Sequence, residues 1–133
     1  MSDLKASILD VGLQNEVCCL GSISREDIPT FWQSHDIYLS CSEWEGHSIS
    51  QVEAMYNGTV PIVTDVSGAR DDVHDGENGF VVAVGDIETM ARHIKYLYDN
   101  REVLSYMGKK TASYVKEKCA NVDIMNFWRE ILF

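Results

Sequence analysis

The sequence predicts an α/β fold, a parallel β-sheet sandwiched by helices. Two observations carry that prediction. Short apolar runs bounded by glycine or turn residues recur four times, and a helix-capping signature or helical spacing follows each of them. From Asp86 onward the pattern is helical throughout. Strands that alternate with helices run parallel, and a sheet built that way is buried on both faces.

The elements follow in order. Residues 4–13 place Leu4, Ile8 and Val11 at helical spacing, and Gly12 ends that helix. Val17-Cys18-Cys19-Leu20-Gly21 reads as the first buried strand, with the two thiols as small hydrophobes. Ser24 with Asp27 marks the start of a helix whose apolar face is Ile28, Phe31 and Trp32. Asp36–Ser40 is the second strand. Ser48 and Gln51 form an S-x-x-Q capping box, opening a helix that runs through Tyr56 and stops at Asn57-Gly58, with Ile49, Val52 and Tyr56 as its inward stripe. Val60–Thr64 is the third strand, with Pro61 near its start, where a missing N–H is tolerated. Gly68 through His74 reads as a turn and short helix, Asp75–Gly79 as a tight turn, and Phe80–Val84 as the fourth strand. Helices then cover Asp86–Leu97 and Val103–Val115, and a last segment carries Phe127, Trp128 and Ile131. Trp32, Phe127 and Trp128 are expected in the core.

The chain of 133 residues is 45% apolar, enough for one domain over residues 1–133. Eleven Lys and Arg stand against 21 Asp and Glu, a net charge of -10. A nucleic-acid binder needs a basic stripe to neutralise phosphates, and an anionic membrane surface asks for the same, so neither is an expected partner. No apolar run approaches the roughly 20 residues that span a bilayer. The opening MSDLKASILDVGL lacks the apolar core and cleavage site of a secretory signal. Four cysteines show neither C-x-x-C pairing nor a histidine at zinc spacing, so no structural metal or disulfide framework is expected, and a reducing cytoplasm fits. No D-x-D occurs, and the adjacent Asp71-Asp72 reads as helix-start chemistry instead of a metal site.

Ligands of parallel sheets sit beyond the carboxyl ends of the strands. That singles out the loops 21–24, 41–48, 65–70 and 83–86, of which 41–48 is the most unusual. It leads through two acids, Glu45 and Glu53, with seven residues between them. Glu53 falls inside the helix, beside the stripe of Ile49, Val52 and Tyr56. A carboxylate there is either partly buried, accepting hydrogen bonds from paired hydroxyls such as those of a ribose, or an ordinary solvent-facing helix glutamate. Periodicity alone favours the second. Helix starts at Ser48–Ser50 and after Gly68 would point backbone N–H groups at the same rim and could hold a diphosphate without a lysine.

Three stretches carry a resemblance: GSISREDIPTFWQSHDIYLS, EGHSISQVEAMYNGTVPIV and DVSGARDDVHDGENGFVV. Residues 4–118 resemble the C-terminal domain of the retaining GT-B glycosyltransferases of family four, with their E-x7-E signature in an E-G-F-G-x4-E-A-M-A-x-G-x-P pattern followed by a glycine turn, an acid and D-G-x-x-G. The resemblance implies a Rossmann-like, partial GT-B C-terminal domain that transfers a sugar from a nucleoside diphosphate-sugar with retention, in polysaccharide biosynthesis, with no metal and no other cofactor. It implies that Glu45 touches donor-sugar hydroxyls near the reacting carbon and is the catalytic position. Glu53 would bind the ribose, and Gly46, His47 and Ser48, followed by Ile49, would lie against sugar and diphosphate. Gly68 would allow close backbone approach, Asp71 holds the family's acidic position, and Arg70 is the nearest base.

The chain departs from the pattern at Gly-His-Ser, where Gly-Phe-Gly is commoner, and at Cys41, where many members have proline. The family's acceptor domain and its Arg/Lys pair precede the region matched here. A saccharide or lipid-linked acceptor would therefore bind elsewhere, and the 133 residues alone would not complete the reaction. Two other readings are a non-catalytic sugar-nucleotide module working with a partner chain and a nucleotide-sugar epimerase; E-x7-E with E-A-M-x-x-G favours the transferase over the epimerase. An unfinished first sheet edge would favour a homodimer.

Overall fold

The computed structural model describes residues 2–120. In chain order the elements are α1 (Ser2–Asp10), α2 (Ile28–Gln33), β1 (Ile37–Ser40), α3 (Ile49–Tyr56), β2 (Val60–Thr64), a 3-10 turn (Ala69–Asp71), β3 (Phe80–Val82), α4 (Ile87–Asp99) and α5 (Arg101–Ala120). The sheet is parallel in the order β1-β2-β3, with Ile37 opposite Val60, Ser40 opposite Val63, and Ile62 opposite Phe80.

β2 is central, and all five of its residues are buried. Successive strand side chains point to opposite faces, so this one strand feeds two apolar clusters. Val60 and Ile62 join Phe80, Val82, Met90, Leu97, Leu104 and Met107 beneath α4 and the start of α5. Val63 joins Met55, Ala69, Val73 and Val115 beneath α3 and the later part of α5. α5 reaches both faces because Gly108 lets it press against the Gly58 carbonyl: a Cβ at 108 would lie 2.6 Å from that oxygen. The α/β layering and the parallel sheet expected from the sequence are present.

Several boundaries move, each for a physical reason. Residues 17–21 form no strand: Val17 and Leu20 are 42% and 63% exposed, Cys18 is exposed and Cys19 half-buried. The sheet therefore has three strands among the described residues, with β1 at its edge. An apolar run becomes a strand only with a ladder partner and a covering layer, and here it finds neither; Leu4, Leu9, Val11 and Leu13 nearby are exposed as well.

α2 begins four residues after Ser24, with Asp27 at its N-cap and Pro29 in its first turn. The Ser24 hydroxyl donates to Asp27 Oδ2 at 2.6 Å, which occupies the carboxylate that would otherwise cap the helix. Ile28, Phe31 and Trp32 are half-buried, and the Trp32 ring meets Phe31 and Tyr38 edge-on.

α3 starts where its capping box places it, with Ser48 Oγ accepting from the Gln51 amide. Its inward face is different from the expected stripe. Gln51, Ala54 and Met55 are buried, Val52 packs at the margin, and Ile49 and Tyr56 are 72% and 48% exposed. The helix turns its small and flexible residues toward β2 and α5, because Ala54 and Met55 fit the tight approach where the bulkier pair would not. β3 stops at Val82, leaving Val84 exposed. Phe127, Trp128 and Ile131 lie outside the described residues.

Candidate functional site

Parallel pairing delivers the loops after β1 and β2 to one rim. The Thr64 hydroxyl, at the end of β2, donates to the Ser42 carbonyl and ties the two loops together at their roots. Farther out they touch backbone to backbone. Gly68 has φ +82°, and a Cβ built on it would strike the Gly46 carbonyl and come within 3.4 Å of His47 Cα. Only glycine takes that conformation without strain and leaves that space empty. Gly46 and the His47 backbone are thus set directly against Gly68.

The start of α3 is braced from the sheet. The Tyr38 hydroxyl on β1 lies 3.2 Å from Ser50 Oγ and 3.4 Å from Ser48 Oγ, and the two serine oxygens are 3.1 Å apart. The first amides of the helix have no helical acceptor, and at this end the helix dipole favours negative charge. After Gly68 the structure has only a three-residue 3-10 turn, so of the two helix starts expected at Ser48–Ser50 and after Gly68, only the first is a regular helix.

Glu45 is half-buried at the loop, while Gly46, His47 and Ile49 are exposed. Glu53 is also half-buried, about 6 Å farther along the helix axis than Ile49. It opens on a cleft of about 350 Å³ shared by Arg25, Ile28, Pro29, Ile49, Val52, Tyr56 and Asn57. Glu53 is therefore neither a plain surface residue nor part of the core. A smaller cleft of about 190 Å³ lies at the ends of the three strands, lined by Cys41, Thr64, Gly85, Asp86 and Met90, among others.

Arg70 and Asp65 form a two-pronged pair, Nε to Oδ1 at 2.7 Å and Nη2 to Oδ2 at 2.8 Å. The hydrogen bond from Arg70 lowers the Asp65 pKa, and the same contact raises that of Arg70. Arg70 thus braces the 65–70 loop. Asp71 is exposed, and its carbonyl accepts from the Tyr114 hydroxyl and from Lys118 Nζ.

One residue at the rim escaped the sequence reading. Asp72 is 1% exposed, not a solvated helix-start acid. Lys118 Nζ donates to its Oδ1 at 2.6 Å, and that bond raises the lysine pKa. His47 Nδ1 lies 3.6 Å from its Oδ2. The available signal was Tyr114 and Lys118, four apart on α5 and so on one helix face; nothing local announced that they would reach residues 71 and 72. No cluster of three or more His, Cys, Asp or Glu that could hold a metal occurs among the described residues. None of their helices is long and apolar enough to cross a membrane.

The profile of the family described as Glycosyl transferases group 1 matches residues 2–114. EpsD of Bacillus subtilis (strain 168) is 36% identical over 105 residues, covering 77% of this chain and 27% of its own length. The C-terminal domain of a glycosyl transferase group 1 family protein, LpcC from Francisella tularensis, superposes with a TM-score of 0.79 at 22% identity, over 88% of this chain and 60% of that one. Anabaena Alr3699/HepE, solved in complex with UDP-glucose, gives 0.80 at 24% identity, over 87% of this chain and 32% of that one. These two likenesses show the fold, the Rossmann-like C-terminal domain of GT-B enzymes. The first three curated relatives are matched over only 27–30% of their lengths. With 113 consecutive residues inside the family's pattern, the chain belongs to the group 1 glycosyl transferases.

Proposed function

We propose that this chain is the donor-binding part of a retaining glycosyltransferase, which moves a sugar from a nucleoside diphosphate-sugar to a saccharide or lipid-linked acceptor held by another domain. Glu45 touches the donor-sugar hydroxyls beside the reacting carbon. Gly46, His47, Ser48 and Ile49, with the amides at the start of α3, border the sugar and diphosphate, and Gly68 keeps the opposite wall low. Glu53 accepts from the ribose hydroxyls. Arg70 and Asp71 stay at the margin, the first braced by Asp65. The reaction runs in the cytoplasm, as a step of polysaccharide synthesis.

The observation that carries this reading is the contact of Gly46 with Gly68, which joins the two halves of the motif in one wall. The name of the HepE structure, which includes UDP-glucose, supports the ligand class. The chemistry asks for stabilisation of a diphosphate that gathers charge as the glycosidic bond breaks, and fixed backbone dipoles meet that demand without reorganising. The test is an NMR titration of the chain with UDP, GDP and UDP-glucose. Amide shifts confined to 45–53 and 66–72 are the expected result, and silence of both segments toward all three ligands refutes it.

A further inference from the structure

Asp72 has no part in the donor reading, and its surroundings are unusual for a carboxylate. Lys118 satisfies Oδ1 from α5. Oδ2 is fully buried and has no hydrogen-bond partner. An acceptor oxygen left empty in the interior is costly, so a donor is expected to reach it. The imidazole that faces it is that of His47, whose side chain is about half exposed and whose Nδ1 is 3.6 Å away. That is beyond hydrogen-bond length, and a small rotation of the exposed ring closes it. His47 also stands on the loop pressed against Gly68, so its backbone is fixed while its ring is free to settle.

We propose that Asp72 is the positioning residue for His47: Oδ2 accepts a hydrogen bond from Nδ1–H, Lys118 holds the carboxylate from the far side, and Nε2 is turned outward as an acceptor for a hydroxyl of the donor sugar. A neutral imidazole carries one proton, and a carboxylate at Nδ1 decides where it sits. The pair fits the sequence, because histidine stands at 47 where the resembled pattern has phenylalanine, which cannot use such a partner. The sugar contact rests on the donor reading of the 45–48 loop; the tautomer does not.

The experiment is long-range ¹H–¹⁵N NMR of the histidine rings in the whole 133-residue chain, near pH 8, where an ordinary imidazole with pKa about 6.5 is neutral. The proton of His47 is expected on Nδ1 in the wild type and in Lys118→Met, and on Nε2, the form usual in water, in Asp72→Leu. A wild-type ring protonated on Nε2, or one tautomer shared by wild type and Asp72→Leu, overturns the proposal. If Asp72→Leu does not fold, the wild-type and Lys118→Met spectra decide the matter alone. UDP-glucose should then shift the wild-type Nε2 resonance while UDP leaves it in place. An Nδ1-protonated ring that ignores UDP-glucose in a chain that binds UDP overturns the sugar contact, and a chain that binds neither overturns the donor reading instead.

Discussion

Gly46 and Gly68, 22 residues apart in sequence, meet so closely that neither loop can keep its place if the second glycine gains a side chain. Gly68→Ala combines two penalties. A positive φ costs an alanine about 1–2 kcal/mol, and its methyl would displace backbone, not a yielding side-chain end. Gly76 is the control, with φ +75° and nothing within 4 Å of its virtual Cβ. Urea unfolding should find Gly68→Ala clearly less stable than Gly76→Ala, with amide shifts reaching residues 45–48. Equal losses from the two variants contradict the contact.

The two glutamates of the motif should separate by ligand. Glu53→Gln keeps helix propensity nearly unchanged but replaces charge-assisted acceptance with neutral. Bonds to charged groups are worth about 1.5–3 kcal/mol, so loss of the charged component should weaken UDP binding several-fold or more by calorimetry. Glu45→Gln should leave UDP affinity as it is and lower the affinity for UDP-glucose. The reverse pattern exchanges the two roles.

Asp65 supplies the pH prediction. Arg70 holds its carboxyl below the ordinary carboxylate pKa in the folded chain. The unfolded carboxyl has the higher value, so this pair's contribution is present above the unfolded pKa of about 3.9 and fades as pH falls through the folded one. A carboxyl-carbon NMR titration should place Asp65 below the exposed aspartates, and Arg70→Met should bring it back among them. Both side chains are largely exposed, so salt should shrink the difference.

Self-association is expected at the β1 side. β1 is an edge strand among the described residues, and Leu39, Val17, Leu20, Leu9 and Leu13 leave apolar surface there or on the segment before it. Exposed edges and apolar patches recruit partners. Light scattering should give a mass that rises with concentration, and Val17→Asp with Leu20→Ser should reduce it. A monomer at all concentrations contradicts this.

The chain alone should not turn over nucleotide-sugar. It spans under a third of the lengths of the first three curated relatives, and the resemblance places the acceptor site and a cationic pair outside the matched region. Loss of one well-placed donor to developing charge already costs about 3 kcal/mol. Release of sugar from UDP-glucose above that of Glu45→Ala would refute the expectation.

Much of the architecture was legible because it is written locally. Ser48 with Gln51 and the Gly-rich turn 75–79 mark element ends by chemistry between near neighbours. The buried run of β2 needed only its own composition. Residues 17–21 are also a short apolar run but have no ladder partner, a difference no short window contains. The face of α3 was misjudged for a related reason. Apolarity pointed to Ile49 and Tyr56, while the space beside α5 admits Ala54 and Met55. At the site, the E-x7-E spacing was readable. The tie from Lys118 to Asp72 spans 46 residues and follows from how α5 crosses the sheet, which has no periodic signature.

That crossing turns on Gly108. Lys118 lies ten residues beyond it on the same helix, about 15 Å at 1.5 Å per residue. The glycine contact with Gly58 works as a fulcrum and the later turns of α5 as a lever, so a tilt of a few degrees at the fulcrum moves the ammonium end by about an ångström. Residue 108 lies 63 positions from Glu45 in sequence, yet a methyl added there would shift Lys118 relative to Asp72 and detune the rim from a distance.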